Sequence, residues 1–326
     1  MALPASGQIT LNQVNVELGF SGTAQILMGS ADVRGLFGIA SGEIEMADGY
    51  GKSSEYVLTN EGTINSQSNR KQITVSNFIS AGGTLVVPSN FWVWSDDNAV
   101  PAMIIDIACT IRNEGKVIGK GGNSRPRLAA SAAIKINSGV SGVTIQNISG
   151  AYIAGGGGAG GNDGGGGAGG GEGADPYSAA TYGGGYGGEL NAEGELGSIG
   201  YTQASVQQGR GQGGGAGGGG GTANYLYPYS YPAYGGGGGR ILPGSGGAGG
   251  YGYGGSRGGN GGSAGSAAGN PVQGTYGGAG GGGGWGAAGS NATGGAGATG
   301  SAGAKAIDDS GVSYTLSNSG TIYGAT

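Results

Sequence analysis

From Glu55 to Gly150, short runs of Val, Ile and Thr alternate with polar residues, and Gly or Asn punctuate them. A period of two with such punctuation predicts short β-strands joined by tight turns. One pattern recurs: Thr59-Asn-Glu-Gly-Thr-Ile64, Arg112-Asn-Glu-Gly-Lys-Val-Ile118, Gln146-Asn-Ile-Ser-Gly-Ala-Tyr-Ile153 with one insertion, and Ser317-Asn-Ser-Gly-Thr-Ile322. Asn followed closely by Gly supplies a turn that tolerates positive φ, and the apolar residues after it supply a strand. Stacked copies predict a mainly β fold, a β-solenoid or β-sandwich-like body whose core is an aliphatic ladder. The fourth copy lies far downstream. Tyr314–Gly324 is therefore expected to pair with the strands near Val143–Ile153 after one long excursion.

The N-terminal pattern differs. Gln8-Ile-Thr-Leu11, Gln25-Ile-Leu-Met28 and Glu43-Ile-Glu-Met46 recur at spacings of 17 and 18 residues. Asn12 is read as the N-cap of a helix over 13–18 with Gly19 after it, and Ser30 as the N-cap of a helix over 31–37 closed by Gly38. These helices are too short to stand alone, so a small α/β module over 1–54 is expected, its elements held by one another.

Composition changes the picture after Ala151. Of the chain's 88 glycines, 66 fall between Ala151 and Gly303, with only ten larger aliphatic or Trp residues beside them. No side-chain core of that size holds such a domain. Glycine-rich runs at 154–173, 211–221, 235–239, 244–265 and 277–303 alternate with richer segments such as 186–210 and 222–234. One reading is a flexible linker. Collagen fails, because the glycines keep no strict third-position period. The other reading is polyglycine II: left-handed threefold helices that bond sideways to one another, close approach being open to residues without Cβ. The recurrence of the runs, as in hairpin-like traversals, favours order.

Chemistry is sparse. The net charge is −5 without a basic block, so the footprint of a nucleic-acid binder is missing. There is no histidine, and the lone Cys109 sits in the apolar run Met103–Ile111 as a small buried hydrophobe. No catalytic residue, metal site or cofactor is expected. Gly51-Lys52-Ser53 is no phosphate loop, since Met46 stands where its first glycine belongs. Gly160–Gly165 carries one carboxylate, too few for calcium. Glu189, Glu193 and Glu195 read as a solvated loop face, and Trp92 and Trp94, alternating with Phe91 and Val93, as residues straddling a strand. No run of 18 apolar residues exists, so no membrane insertion is expected, and the N-terminus lacks the pattern of a signal peptide.

Ile111–Gly122, Gly142–Gly158 and Ala304–Gly324 resemble glycine-rich tail-fibre proteins of tailed bacteriophages. The alternation of glycine runs with variable segments resembles the distal adhesins of T-even-like long tail fibres. That resemblance implies a polyglycine II sandwich whose loops contact a receptor on the host's outer surface, protein or glycan. It also implies a virion location, after synthesis in the host cytoplasm. Gln8–Ser53 resembles a module that begins many phage tail proteins, which implies attachment to other virion tail proteins through residues 1–54. The chain departs from the T-even adhesins in carrying its own anchor and β body, so monomeric capping does not carry over, and a homo-oligomer such as a trimer stays open.

The resulting organisation is a virion-attachment module over 1–54, a β-rich body over 55–153 plus 304–326, and a polyglycine II receptor-binding domain over 154–303. Twelve of the 17 tyrosines sit between Tyr177 and Tyr276, which selects the candidate receptor contacts. Tyr225, Tyr227, Tyr229, Tyr231 and Tyr234 form a stiff cluster with two prolines, joined by Tyr251, Tyr253, Glu189, Glu193 and Arg210. Tyrosine offers large contact area at low entropy cost. Tyr182 and Tyr276, flush against glycine runs, read as packing residues. Two other functions remain open: a structural fibre or decoration protein with a glycine-rich spacer, and a polysaccharide depolymerase in the β body.

Overall fold

The structure, a computed structural model, describes residues 3–18, 20–39, 41–52, 54–123, 128–161, 238–239, 246–249, 257–273, 280–293 and 299–326. Its centre is a β-solenoid, which settles the choice between solenoid and sandwich. The first coil holds β1 (Glu55–Val57), β2 (Gly62–Ile64), β3 (Gln67–Lys71) and β4 (Ile73–Thr74). The second holds β5 (Thr84–Val87), β6 (Phe91–Trp94) and β7 (Met103–Ile105); the third β8 (Thr110–Asn113), β9 (Lys116–Ile118) and β10 (Ile134–Ile136). The fourth holds β11 (Thr144–Asn147), β12 (Tyr152–Ala154) and, after the glycine region, β13 (Ile307–Asp308); a last partial coil holds β14 (Thr315–Asn318) and β15 (Thr321–Tyr323). The sheets run β1-β5-β8-β11-β14, β2-β3-β6-β9-β12-β15 and β4-β7-β10-β13, parallel throughout except β2 against β3.

Alternation explains the core. In-register stacks point inward: Leu85, Ile111, Ile145 and Leu316 on the first sheet, Val93, Val117, Ile153 and Ile322 on the second, Ile73, Met103, Ile134 and Ile307 on the third. The pairing of Tyr314–Gly324 with the fourth coil follows the expected register, Asn147 against Asn318 and Ile153 against Ile322.

The recurring asparagine does more than turn the chain. Asn113 and Asn147 are fully buried inside one corner. Nδ2 of Asn113 donates to Oδ1 of Asn147 at 2.8 Å, and Nδ2 of Asn147 to Oδ1 of Asn318 at 2.8 Å. Strands stack about 4.8 Å apart, a spacing that an amide spans, so this ladder locks coil to coil. The tight corner is why glycine follows: a Cβ on Gly320 would lie 2.6 Å from Asn147 Nδ2. The first copy of the motif does not stack, contrary to the expectation. Asn65 and Ser66 take positive φ, and the chain reverses into the β2–β3 hairpin, where Asn60 Oδ1 accepts from the N–H groups of Gly62 and Asn69. Replacing Asn147 with Ala is expected to cost about 2–3 kcal/mol, because Asn318 Oδ1 and the Thr321 carbonyl lose their donor in a closed corner. Chemical denaturation measures this; an unchanged midpoint would mean that the ladder does not hold the coils.

The N-terminal module packs Leu3, Ile9, Val14, Val33 and Phe37 into its own core, with Ile26 and Ile44 of the repeat beside them. Helix α1 (Leu11–Glu17) starts two residues earlier than expected, because Thr10, not Asn12, is its cap. Thr10 and Gln13 form a reciprocal capping box, the Gln13 side chain accepting from Thr10 N–H at 2.8 Å. Helix α2 (Ala31–Phe37) has Ser30 as cap and Gly38 in the left-handed conformation, as its sequence predicts; Gly19 lies outside the described residues. The module meets the solenoid where Glu17 accepts from Ser54 N–H at 2.9 Å. A cleft of about 680 Å³ separates Leu18, Phe20 and Leu36 from Tyr56, Phe78 and Ile79.

Candidate functional site

The glycine excursion leaves the solenoid at Ala154 and returns at Ile307. Its first run, 155–161, is bonded on several sides at once with a period of three. The carbonyls of Gly155, Gly158 and Gly161 accept from the N–H groups of Gly286, Gly283 and Gly280 at 2.7–2.8 Å. Those of Gly156 and Ala159 accept from Ala304 and Ser301, both at 2.8 Å, while Gly157 accepts from Gly122 at 2.9 Å. In the parallel direction, Gly158 and Gly161 donate to Ala287 and Ser290, both at 2.8 Å. Each residue in a set of three thus faces a different neighbour, the bonding expected of a threefold extended helix in a bundle.

The absence of side chains is what permits this spacing. A Cβ on Gly156 would fall on the Lys120 carbonyl, one on Gly158 on Ser301, one on Gly280 on Ser290. Polar side chains enter where room remains. Ser301 Oγ accepts from Ala159 N–H at 2.7 Å, Ser290 Oγ from Gly281 N–H at 2.9 Å, and Asn260 Oδ1 from Gly249 N–H at 2.8 Å.

Two hairpins end against the solenoid. Runs 257–263 and 266–269 turn at Ala264-Gly265, and runs 280–284 and 287–290 turn at Trp285-Gly286, both glycines having positive φ. Trp285 is fully buried against Trp92, Trp94, Ile118 and Ala154 on the outer face of the second sheet. Its ring lies 5.4 Å from Tyr323 and 6.4 Å from Tyr152. Lys116 Nζ lies over the faces of Trp92 and Tyr152, and burial lowers its pKa. Trp92 and Trp94 thus straddle the strand as their alternation predicts, Phe91 and Val93 pointing inward. Sequence reasoning gave Trp285 no role, although it is the one large apolar residue of its glycine run.

Because the turns abut the solenoid, the opposite run ends lie away from it, and they converge. Gly161 bonds both Ser290 and Gly280, and Arg257 pairs with Val272 through two backbone hydrogen bonds of 3.1 and 2.9 Å. These residues flank segments 162–237, 250–256, 274–279 and 294–298. The sequence candidates Glu189, Glu193, Arg210, Tyr225, Tyr227, Tyr229, Tyr231, Tyr234, Tyr251 and Tyr253 all lie in such segments, outside the described residues, as do Tyr182, Tyr276 and Glu195. Elsewhere, burial and then Asp106 push the Cys109 thiol up to about 12, which leaves it without nucleophilic character at neutral pH. Among the described residues no group of three His, Cys, Asp or Glu could hold a metal ion.

No protein-family model matches the chain, and no curated protein matches it. Among solved structures, the crystal structure of the gp37-gp38 adhesin tip complex of the bacteriophage S16 long tail fiber is similar to this chain at 16% identity and a TM-score of 0.38, over 98% of this chain and 99% of that one.

Proposed function

We propose that this protein is a non-enzymatic bacteriophage tail-fibre or tail-tip adhesin that binds a receptor on the host's outer surface. The convergence of the described run ends, at the side of the glycine lattice away from the solenoid, carries the reading. A spacer has no need to bring Gly161, Gly280 and Ser290 together, whereas a display platform does. The period-three bonding supports a polyglycine II sandwich. The motifs that resemble phage fibres, Ile111–Gly122, Gly142–Gly158 and Ala304–Gly324, supply solenoid coils and the exit and return of the lattice. In this reading the variable segments are the reader and the lattice is its rigid base.

Tyr225–Tyr234 is the main receptor contact, helped by Tyr251, Tyr253, Glu189, Glu193 and Arg210. Each central Tyr→Ala change is expected to weaken binding by about 1–3 kcal/mol, as at interface hot spots. The test is the adsorption of host cells by the full chain and by a variant with Ala at positions 227, 229 and 231. Normal adsorption by that variant, together with unchanged host specificity after exchange of 222–234 for the matching segment of a related adhesin, would remove this segment from the role.

Residues 1–54 attach the protein to the rest of the virion. A chain starting at Glu55 is expected to adsorb to host cells and to compete with phage while no longer joining the virion. Lost adsorption with folding intact, read by circular dichroism, would move receptor binding into the N-terminal module.

A further inference from the structure

Among the described residues, the last coil leaves one edge of the solenoid unpaired. Thr315 N–H donates to Val143 O at 2.9 Å and Ser319 N–H to Asn147 O at 2.8 Å, so the odd-numbered residues of β14 face β11. The peptide groups of Leu316 and Asn318 point the other way, and beyond β14 the sheet has no further strand among the described residues. On β15, Thr321 N–H donates to Ala151 O and Tyr323 O accepts from Gly155 N–H, both at 2.9 Å, which turns the peptide groups of Ile322 outward. The ladder ends here too. Asn318 Oδ1 accepts from Asn147, but Asn318 Nδ2 has no partner among the described residues, and the residue is exposed.

Exposed edges are ordinarily protected by charge, proline or a bulge. Thr315-Leu-Ser-Asn318 has no charge and no proline, and it pairs with β11 without a bulge. The other end of the solenoid is guarded: Glu55 on β1 is ion-paired with Arg112, and the β2–β3 hairpin flanks the second sheet.

We infer that this edge receives an extended segment of another polypeptide as a further coil, parallel to β14, with Leu or Ile at one position and Asn two residues later. The register defines that chemistry. Thr110-Ile-Arg-Asn113, Thr144-Ile-Gln-Asn147 and Thr315-Leu-Ser-Asn318 stack residue on residue, so what fits above Asn318 is what already sits above Asn113 and Asn147. A second copy does not meet this need. Its β8 and β11 are paired on both edges; its β1, free on one edge, carries Tyr56 and then Leu58 where the stack takes Leu or Ile and then Asn; and its β14 edge, with the inward faces on one side, meets this one in the antiparallel sense, which breaks the amide ladder.

The probe is a fluorescent peptide of residues 142–153 titrated with the full chain. In the fold, Thr144 and Ile148 donate to β8 and its corner, Cys109 O and Asn113 O, both at 2.9 Å, so Gln146 N–H lies on that docking edge and Ile145 N–H on the other. Saturable binding is expected. N-methylation at Gln146, or Ala in place of Asn147 in the peptide, should weaken it by about tenfold, whereas N-methylation at Ile145 should leave it unchanged. A full-chain Asn318→Leu variant with unchanged melting should bind the parent peptide about tenfold less well. Absence of binding, or equal binding of all the peptides, overturns the inference. So does concentration-dependent dimerisation of the chain alone in sedimentation, which would give the edge to a second copy.

Discussion

Gly284→Ala is expected to destabilise the glycine lattice by about 3–5 kcal/mol, far more than an ordinary glycine-to-alanine change. A Cβ at this position lands on the Ser263 carbonyl, with Ala264 N only 3.0 Å away. Neither side can yield cheaply. Gly284 N–H donates to Ser266 O at 3.0 Å, Gly262 N–H donates to Gly282 O at 2.9 Å, and Trp285 fixes the next residue against the solenoid. Separating the two runs would therefore break several backbone bonds for one methyl group. The internal control is Gly35→Ala in α2, where an added Cβ meets nothing within 4 Å and φ is not positive. That change should stabilise by about 0.5–1 kcal/mol through helix propensity. Thermal melts of the two variants give the contrast, and a Gly284→Ala protein that melts with the parent would sink the close-packed lattice.

Trp285→Ala is expected to cost about 3–5 kcal/mol, the range for a buried large aromatic. The effect should concentrate at the junction, since the side chain plugs the lattice turn into the outer face of β6, β9 and β12 without entering the solenoid core. The chain's three tryptophans, Trp92, Trp94 and Trp285, all meet at this contact, so intrinsic fluorescence of the parent reports its opening directly. The variant should show red-shifted emission from Trp92 and Trp94 and earlier proteolysis of the lattice, with the solenoid strands retained in far-ultraviolet circular dichroism. Trp285→Phe should restore much of the loss. Emission unchanged from that of Trp92 and Trp94 in a closed site would show that Trp285 does not hold the junction.

The legible part of this fold was the part governed by periodicity. Alternation around Leu85, Ile111, Ile145 and Leu316 gave strands, and the shared Asn-x-Gly corner linked Tyr314–Gly324 to the fourth coil across the excursion. The ladder itself was not legible, because an asparagine before a glycine in a turn looks the same whether its amide faces water or a second amide. Only stacking distinguishes Asn113 from Asn60, and stacking depends on the Asn65–Ser66 reversal that diverts the first copy. Glycine runs said that backbone would hold the lattice but not which run meets which, since glycine carries no side-chain pattern to set a register. Trp285 and the serines at 290 and 301 set it, through burial and hydroxyl bonds that appear only once the runs are side by side. For the candidate tyrosines, sequence gave an argument from composition alone, and they lie outside the described residues.

The fourth coil is interrupted between β12 and β13, and this has a consequence for biosynthesis. At about 5–20 residues per second, roughly 8–30 s pass on the ribosome between the synthesis of Ala154 and that of Ile307. Throughout that interval Ile145 and Ile153 have been made, while Leu316 and Ile322, which pack over them, do not yet exist. The nascent solenoid therefore waits with an apolar edge bare, at the moment when neighbouring nascent chains on a polysome present the same edge. Slower translation of the glycine codons lengthens the wait, and a glycine-poor tRNA pool would turn a supply problem into a mispairing problem.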